Sequence, residues 1–355
     1  YVYVDQATAR VFTLDTTQAA GSEMSFSDNG GESWTHTLVD AAGLNDHMTL
    51  VSAPAPAGSG LTPSDPAFPR LLHYCANSLE ITSCVRSVDG GHTFTQEGTP
   101  FVDANGFCGA LTGHLAADGQ GRIFLASSFN HNTVCPPHPL VVAASDDGGT
   151  NWRSSTVSTT ILDAEHDGEL STDKAGNVYV VWEDDLHRLP YLAVSRDHGR
   201  TWGPPMMIAP PGVSHARFSK VTAGDAGRIA VSFIATPVRN EGDATRPWAY
   251  YMAVSTDVLG THPTFRSAVA PIPGESYPVV HRGPCTAQCA GLFDFLDLTL
   301  DPRPSAPFVG SLSDNCTGPC VANPRGNSTD SLVGIGLVVS EVAGPRLAPP
   351  AVRRR

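Results

Sequence analysis

The feature that most constrains this 355-residue chain is a short motif that recurs along it. The motif reads Ser-x-Asp-x-Gly-x-Thr/Asn-aromatic, and clear copies span residues 87–94, 145–152 and 195–202. A copy at 27–34 has Asn in place of Asp, and a degraded copy begins at Ser255 and is expected to close at Phe265. The first serines are 60, 58, 50 and 60 residues apart. A regular spacing of this size indicates a repeat architecture.

Each position of the motif suits a tight turn. The Asp carboxylate can accept hydrogen bonds from backbone N–H groups of its own turn, and the Gly permits a positive φ. The terminal aromatic ring is suited to packing between neighbouring sheets. Apolar strands precede three of the copies, at residues 140–144, 191–194 and 250–254. The motif is therefore predicted to be a structural hairpin turn and not a catalytic element.

Two further strands around a short turn precede the motif in each repeat. Examples are 113–117 with 123–127, 170–172 with 178–182, 218–222 with 229–233, and 295–300 with 308–311. Each repeat then has four strands, A to D, with the motif between C and D. Four-stranded sheets repeated radially are β-propeller blades. We predict an all-β, six-bladed propeller of four-stranded antiparallel blades over residues 1–345, with a weak or absent last D strand and a Pro/Arg-rich tail at 346–355.

Composition excludes several partners. The chain has 35 acidic and 22 basic residues, for a net charge of −13, whereas nucleic acids and anionic membranes attract clustered positive charge. No stretch approaches the roughly 18 apolar residues that a membrane span needs. Eight cysteines, an even number, favour disulfides and an extracellular location. We expect a secreted protein that binds neither nucleic acid nor a membrane interior.

The motif copies resemble the Asp boxes, or bacterial neuraminidase repeats, of the sialidase-like superfamily. The resemblance covers roughly residues 1–340 and implies a propeller whose C–D turns are Asp boxes. Members of the superfamily cut glycans, bind them without cutting, or act as receptors and assembly factors. The resemblance implies that this chain acts on or binds glycans.

The residues of a sialidase active site are only partly present. That family uses an Arg triad, an Asp acid/base and a Tyr–Glu nucleophile pair. Glu169 stands where the family's Glu is expected, and Tyr277 and Arg282 could serve as the late Tyr and Arg. The Arg-Ile-Pro motif is missing, and Trp182-Glu183 replaces another expected Arg. Without the triad the substrate carboxylate lacks its bidentate clamp, so we expect no true sialidase activity.

The cysteines are expected on one face of the propeller. They form four close pairs in D–A or B–C segments, which share a face: Cys75/Cys84, Cys108/Cys135, Cys285/Cys289 and Cys316/Cys320. We predict that Cys108 is linked to Cys135. Pairing among the last four cysteines stays open, and a four-thiolate metal site is the alternative there.

Acidic residues are concentrated around the fourth blade on the same expected face. They are Asp163, Glu165, Asp167, Glu169, Glu183, Asp184 and Asp185. Three interpretations stay open. Five of them could bind Ca²⁺ through oxygen ligands, namely Asp163, Glu165, Glu183, Asp184 and Asp185. Alternatively, a carboxylic acid of raised pKa could stand beside an ionised partner, as in glycosidases, or the residues could form a solvated rim.

Histidines recur near the starts of the A strands, which surround the channel of a propeller. They are His47, His114, His166 and His215. Converging imidazoles could bind a transition metal or transfer protons; alternatively, each caps its own blade. Asp46, Arg217, Asp294 and Asp297 add polar groups at equivalent positions. Because buried polar groups must be satisfied, the channel mouth is the predicted site.

The leading hypothesis is a glycoside hydrolase or polysaccharide lyase that needs no cofactor, with calcium as a candidate ion. The carboxylate candidates are Glu169 and Asp167, and the proton-transfer candidates are His166 and His215. An anionic sugar would be held by Arg217 or Arg282. The further ligand-binding candidates are Asp46, His47, His114, Asp294 and Asp297. The alternative is a non-catalytic propeller that binds a glycan or a protein.

Overall fold

The computed structural model describes residues 1–17, 21–40, 45–78, 81–103, 106–107, 112–127, 140–159, 168–184, 186–239, 248–269, 296–300, 308–314 and 333–339. Every regular element in these ranges is a β-strand, so none of them holds a helix able to cross a membrane. The chain divides into two compact units, residues 1–180 with 193–204 and residues 181–192 with 205–355.

The strands of the first three sheets follow one another in chain order. The first sheet holds β1 (Val2–Val4), β2 (Val11–Thr17), β3 (Gly21–Ser27) and β4 (Thr35–Asp40). The second holds β5 (Asn45–Ala53), β6 (Leu71–Ser78), β7 (Ile81–Ser87) and β8 (Thr95–Gln96). A two-stranded hairpin, β9 (Val102–Asp103) with β10 (Gly106–Phe107), precedes the third sheet. The third holds β11 (Ala116–Ala117), β12 (Ile123–Ser127), β13 (Leu140–Ser145) and β14 (Arg153–Ser158).

The remaining sheets repeat this order. The fourth holds β15 (Glu169–Thr172), β16 (Val178–Glu183), β17 (Pro190–Ser195) and β18 (Met206–Met207). The fifth holds β19 (His215–Ala223), β20 (Ile229–Thr236), β21 (Ala249–Ser255) and β22 (Arg266–Val269). The sixth has three described strands, β23 (Leu296–Leu300), β24 (Phe308–Asp314) and β25 (Val333–Val339).

These sheets confirm the predicted repeat. Five four-stranded antiparallel sheets establish an all-β chain built from A-to-D repeats, with the motif between C and D. The described part of the sixth sheet ends at its third strand. The count of six blades and the boundaries 1–345 and 346–355 stay predictions, and the tail lies outside the described residues.

The core of the first unit lies between successive sheets. Strand β12 is buried along its whole length because both of its faces are covered, which explains its continuous apolar sequence. One apolar cluster joins the first and second sheets through Phe12, Met24 and Leu72. A second cluster joins the second and third sheets through side chains such as Val51 and Leu125. Each sheet is therefore stabilised by burial against its neighbour.

One predicted cysteine pair is a disulfide. Cys75 and Cys84 are directly opposite each other on β6 and β7, both are buried, and they are covalently linked. Their expected position in the B–C segment was wrong, since they lie within strands B and C, where directly opposite residues come close enough to be joined. The other six cysteines, Cys108, Cys135, Cys285, Cys289, Cys316 and Cys320, lie outside the described residues.

The motif turns, meaning the C–D turns formed by the motif copies, share one hydrogen-bond pattern. In the copy after β17, Ser195 Oγ accepts the Gly199 N–H at 2.8 Å and donates to Asp197 Oδ1 at 2.7 Å. The same carboxylate accepts the backbone N–H of Thr201 at 2.8 Å and its hydroxyl at 2.6 Å. The turns that begin at Ser27, Ser87 and Ser145 repeat this pattern.

Two variant copies show which atoms the turn requires. In the first copy, the Asn29 side-chain oxygen accepts the Ser33 N–H at 3.0 Å, so a neutral amide replaces the carboxylate. In the fifth copy, Asp257 accepts the N–H of Thr264, seven residues later, at 2.9 Å. The expected closure at Phe265, directly after Thr264, is therefore confirmed, with a longer loop in between.

Arginines connect the second, third and fourth motif turns, all in the first unit, to the preceding sheet. Arg10 donates to the Gly90 carbonyl at 2.8 Å, and Arg86 donates to the Gly148 carbonyl at 2.7 Å. Arg153 donates to the His198 carbonyl at 2.6 Å. All three carbonyls belong to the fourth residue of their motif. The contact is therefore a repeated device that joins neighbouring sheets.

The charge of Asp197 makes its turn sensitive to acid. Burial alone would raise the pKa of this carboxyl, but the hydrogen bonds from Thr201, Ser195 and Arg200 lower it well below its usual range. A carboxyl whose folded pKa is depressed stabilises the fold fully above its unfolded pKa, near 4, and loses that contribution as the pH falls further.

We predict that Asp197→Asn shows a smaller loss of unfolding free energy than the parent protein between about pH 4 and pH 2. The amide keeps the acceptor that Asn29 supplies in the first copy but takes up no proton in this range. Asp197→Ala should instead lose about 1–3 kcal/mol at pH 7, because several N–H and O–H donors lose their acceptor. Urea unfolding at each pH measures both effects. Equal acid dependence in the Asn variant and the parent would contradict the prediction.

Candidate functional site

Two predicted residues from different repeats meet in the first unit. Glu169 begins β15, and its side chain is only 10% exposed. The Nδ1 atom of His114 lies 2.9 and 3.0 Å from the two Glu169 oxygens. The backbone N–H of His114 also donates to Glu169 Oε2 at 3.2 Å. The carboxylate thus holds the imidazole at Nδ1 and turns the Nε2 edge of the ring away from itself.

A close backbone contact brings these residues together. A Cβ atom on Gly113 would lie 2.0 Å from the Gly168 carbonyl oxygen, so only glycine fits there. The Gly113 N–H donates to the Ala126 carbonyl at 3.1 Å, which fixes that segment to its own sheet. Because each glycine directly precedes a site residue, the sequences Gly113-His114 and Gly168-Glu169 place the imidazole beside the carboxylate.

An aromatic side chain completes this site. The Tyr1 ring stacks on the His114 ring, with centroids 5.4 Å apart and planes 19° apart. Tyr1 is 42% exposed and the His114 side chain is 39% exposed. The site therefore presents an exposed aromatic ring and an accessible imidazole above a nearly buried carboxylate. A histidine oriented by a carboxylate can take up or deliver a proton.

The structure places the other predicted histidines differently. His215 is fully buried at the start of β19 and contacts Trp248 edge-on, with ring centroids 5.2 Å apart. That burial fits the capping alternative and not proton transfer to a substrate. His47 lies in β5 at an irregularity, has a φ of +49°, and donates its backbone N–H to Asp46 at 2.9 Å. His166 lies outside the described residues.

The remaining ligand-binding candidates that the structure describes belong to a different unit from His114. Arg217 is 8% exposed in β19, and Asp297 is exposed in β23, so both belong to the second unit. Asp297 accepts the backbone N–H of Leu298 at 2.7 Å. Arg282 and Asp294 lie outside the described residues, as does Tyr277. Their predicted role in holding a ligand stays a prediction.

Two of the candidate calcium ligands already have protein donors. Glu183 Oε1 accepts the N–H of Ser219 at 2.8 Å and its hydroxyl at 2.5 Å. Asp184 accepts the backbone N–H of His187 at 3.0 Å and its ring Nδ1–H at 2.5 Å. Among the described residues, no group of three or more His, Cys, Asp or Glu side chains is placed to hold a metal. Asp163, Glu165, Asp167 and Asp185 lie outside them, so the calcium site stays a prediction.

Sequence reasoning missed the aromatic neighbour of His114 and the partners of Asp184. It did not select Tyr1, which stacks on His114, nor His187 and Tyr191, which adjoin Asp184. The signal for His187 was present, because Asp184-x-x-His187 falls in a tight B–C turn where an Asp commonly accepts hydrogen bonds from the following residues. No local signal marked Tyr1.

Comparisons with known proteins support the fold. No family model matches the chain, and no curated protein matches it. A protein of unknown function from Dyadobacter fermentans is 14% identical, with a TM-score of 0.50 over 88% of this chain and 89% of that one. The NanB sialidase of Streptococcus pneumoniae is 10% identical, with a TM-score of 0.51 over 96% of this chain and 68% of that one. A NanB variant gives a TM-score of 0.50 at 11% identity, and this chain covers 64% of it.

These similarities define the class of fold. The chain has a sialidase-like propeller fold, as the repeat motif predicted. At 10–14% identity the similarity shows the fold alone. Function therefore has to be argued from the residues of this chain.

We predict that Gly113→Ala separates the backbones at Gly113 and Gly168 and breaks the contact between His114 and Glu169. Its Cβ would overlap the Gly168 carbonyl, and overpacking of this kind costs about 1–3 kcal/mol of unfolding free energy. Gly119→Ala is the matched control, because a Cβ there contacts nothing and its φ is not in the left-handed region. That control should be neutral or slightly stabilising. Urea unfolding measures both variants, and equal stability of the two would contradict the described backbone contact.

Proposed function

We propose that this protein is a secreted enzyme that acts on extracellular oligo- or polysaccharides, of glycoside hydrolase or polysaccharide lyase type. His114 is the proton-transferring group, and Glu169 is the positioning residue that orients it. The observation that carries the proposal is the contact of Glu169 with Nδ1 of a half-buried imidazole. The Cys75–Cys84 disulfide supports secretion, because disulfides persist mainly in oxidising compartments.

The contacts of Glu169 define the division of roles. Both of its oxygens already accept hydrogen bonds from His114, so the carboxylate is not poised to attack a sugar carbon. A carboxylate that accepts from Nδ1 favours the Nδ1–H tautomer, in which the lone pair of the ring is on Nε2. The same carboxylate stabilises the imidazolium that forms when Nε2 takes a proton. Nε2 would activate water in a hydrolase or remove a sugar C–H proton in a lyase.

A hydrolase mechanism calls for a further acidic group. Paired carboxylates in glycosidases are about 5–10 Å apart. Asp167, two residues before Glu169 in the sequence, remains the proposed acidic group that would act together with His114. His166 stays a second proton-transfer candidate. The tyrosine ring beside His114 offers an apolar face against which the C–H groups of a sugar can pack.

The proposal does not extend to sialidase activity. The sequence Phe68-Pro69-Arg70-Leu71 is the best match to the missing Arg-Ile-Pro motif. The Nε atom of Arg70 lies 3.0 Å from Asp5 and also donates to Ser52. Those contacts tie Arg70 to the first and second sheets instead of leaving it as a clamp for a substrate carboxylate. Arg217 and Arg282 remain the proposed groups for an anionic sugar. Six blades in a closed ring and a calcium site are also part of the proposal and not of the described structure.

A non-catalytic glycan- or protein-binding propeller is the second candidate. The contact of Glu169 with His114 is compatible with it, because both carboxylate oxygens already accept hydrogen bonds from the protein. Such a protein would keep the stacked Tyr1 and His114 rings as a binding surface. The two candidates differ in whether a bound saccharide is cleaved.

We predict that His114→Gln lowers kcat by about 10²–10⁴-fold, the usual contribution of a general acid or base, on whichever glycan the protein cleaves. Incubation with neutral glycans, polyuronates and sialosides, followed by chromatography and by ultraviolet absorbance for unsaturated products, identifies that glycan and the reaction type. Glu169→Gln should lower kcat less than His114→Gln, because the amide still accepts from the ring. Glu32→Gln, on an exposed residue of the first motif turn, is the control. Glycan binding without product from any substrate would favour the non-catalytic alternative.

A further inference from the structure

A second histidine–carboxylate pair lies in the second unit, at the turn between β16 and β17. The Asp184–His187–Tyr191 cluster consists of these three side chains. Asp184 is 3% exposed, whereas the His187 side chain is 51% exposed. The Nδ1 atom of His187 lies 2.5 Å from Asp184 Oδ2 and 3.3 Å from the Tyr191 hydroxyl oxygen.

These distances assign the protons. The ionised carboxylate of Asp184 can only accept hydrogen bonds, so the short contact requires that His187 Nδ1 carries the hydrogen. Nδ1 then has no lone pair left, so the Tyr191 oxygen can only share that same N–H as an acceptor. Two consequences follow. The Tyr191 O–H proton points away from His187, and His187 Nε2 keeps a lone pair in the neutral ring.

The surroundings keep this pair in place at the surface. The Tyr191 ring stacks on the buried Trp182, with centroids 6.0 Å apart and planes 28° apart. Burial, and secondarily the charge of Asp184, raise the pKa of Tyr191, so its hydroxyl stays protonated at neutral pH. Tyr191 is paired across β17 and β18 with Met207, which is 50% exposed. An outward donor and an outward acceptor therefore stand beside exposed apolar surface.

The turn itself does not need this arrangement. Asp184 already closes it by accepting the His187 backbone N–H, and the Asp184 carbonyl accepts the Arg188 N–H at 2.7 Å. The imidazole contact is separate from those backbone bonds. It does fix one tautomer on a half-exposed ring, and the Nε2 atom of that ring has no hydrogen-bond partner among the described residues.

We propose that His187 and Tyr191 form a saccharide-binding subsite, which forms hydrogen bonds with two neighbouring sugar hydroxyls. One hydroxyl donates to His187 Nε2 and the other accepts from the Tyr191 O–H, while the sugar's C–H face lies against Tyr191 and Met207. The ligand class is a neutral sugar with a vicinal diol, because the pair offers one acceptor and one donor and no fixed positive charge. This inference rests on the proposed glycan function, but it requires no cleavage and no contribution from His114.

The test is ¹⁵N NMR of the histidine side chains of the full chain. The free protein should show His187 as the Nδ1–H tautomer, and Asp184→Ala, which removes the acceptor, should abolish that preference. Titration with cellotriose, xylotriose or arabinotriose should shift His187 Nε2 saturably for at least one sugar. Tyr191→Phe should weaken that binding about three- to tenfold, as expected for one lost hydrogen bond, and its backbone spectrum verifies folding.

The outcomes separate this subsite from the proposed catalytic group. His114→Gln should leave the His187 titration unchanged even where it abolishes cleavage. A titration of His187 without cleavage of any glycan would support the subsite and contradict the proposed enzyme. An Nε2–H tautomer in the free protein would overturn the subsite, as would the absence of a His187 shift with all three sugars. Trigalacturonate is titrated as the acidic comparison. A His187 shift with trigalacturonate alone would overturn the neutral diol as the ligand of the subsite.

Discussion

The hydrogen bonds of the motif turns are the constraint on which the rest of the structure depends. In each clear copy, a serine hydroxyl accepts the N–H of the glycine four residues later and donates to the acceptor two residues later. That acceptor in turn accepts the backbone N–H of the residue four positions further on. The pattern closes a hairpin with few degrees of freedom and sets the register of strands C and D.

The same turns join one sheet to the next in the first unit. The carbonyl at the fourth motif position accepts an arginine from the preceding sheet in three successive cases. Arg10 shows how strongly such a residue can be held. Its guanidinium lies over the rings of Phe26 and Phe68 and forms ion pairs with Asp28 and Asp65. A buried charge of this kind is tolerated because its donors are paired.

This scaffold leaves the opposite ends of the sheets available for chemistry. Strands A to D alternate in direction, so the start of an A strand lies at the other end of its sheet from the C–D turn. Glu169 begins such a strand, and His114 lies two residues before the corresponding strand of the adjacent repeat. The repeats thus supply rigidity at one end, and residues outside the motif supply the site at the other end.

The sequence was most informative where structure is local. The serine-to-aromatic motif predicted its turns, including the closure at Phe265, because all of its bonds join residues within ten positions of each other. The contact of His114 with Glu169 joins residues 55 positions apart, and its cause is the backbone approach of Gly113 to Gly168, which no single-sequence pattern reveals. The burial of His215 could not be predicted either, since it depends on packing against Trp248.

The acidic residues illustrate a different difficulty. Composition alone could not distinguish cation ligands from carboxylates that bind protein donors. Glu183 belongs to the second kind through Ser219, and Asp184 through His187. Charge clustering in a sequence therefore indicates where ionisable groups accumulate, but the donors around each group decide its chemistry.

The most direct test of this account is a crystal structure of the protein after soaking in a mixture of neutral and acidic oligosaccharides. We predict saccharide density packed against Tyr1, with a sugar atom within about 3.2 Å of His114 Nε2 and with the Glu169 contact to Nδ1 retained. Saccharide bound only elsewhere, with no atom near His114, would contradict the assignment of His114 as the reacting group.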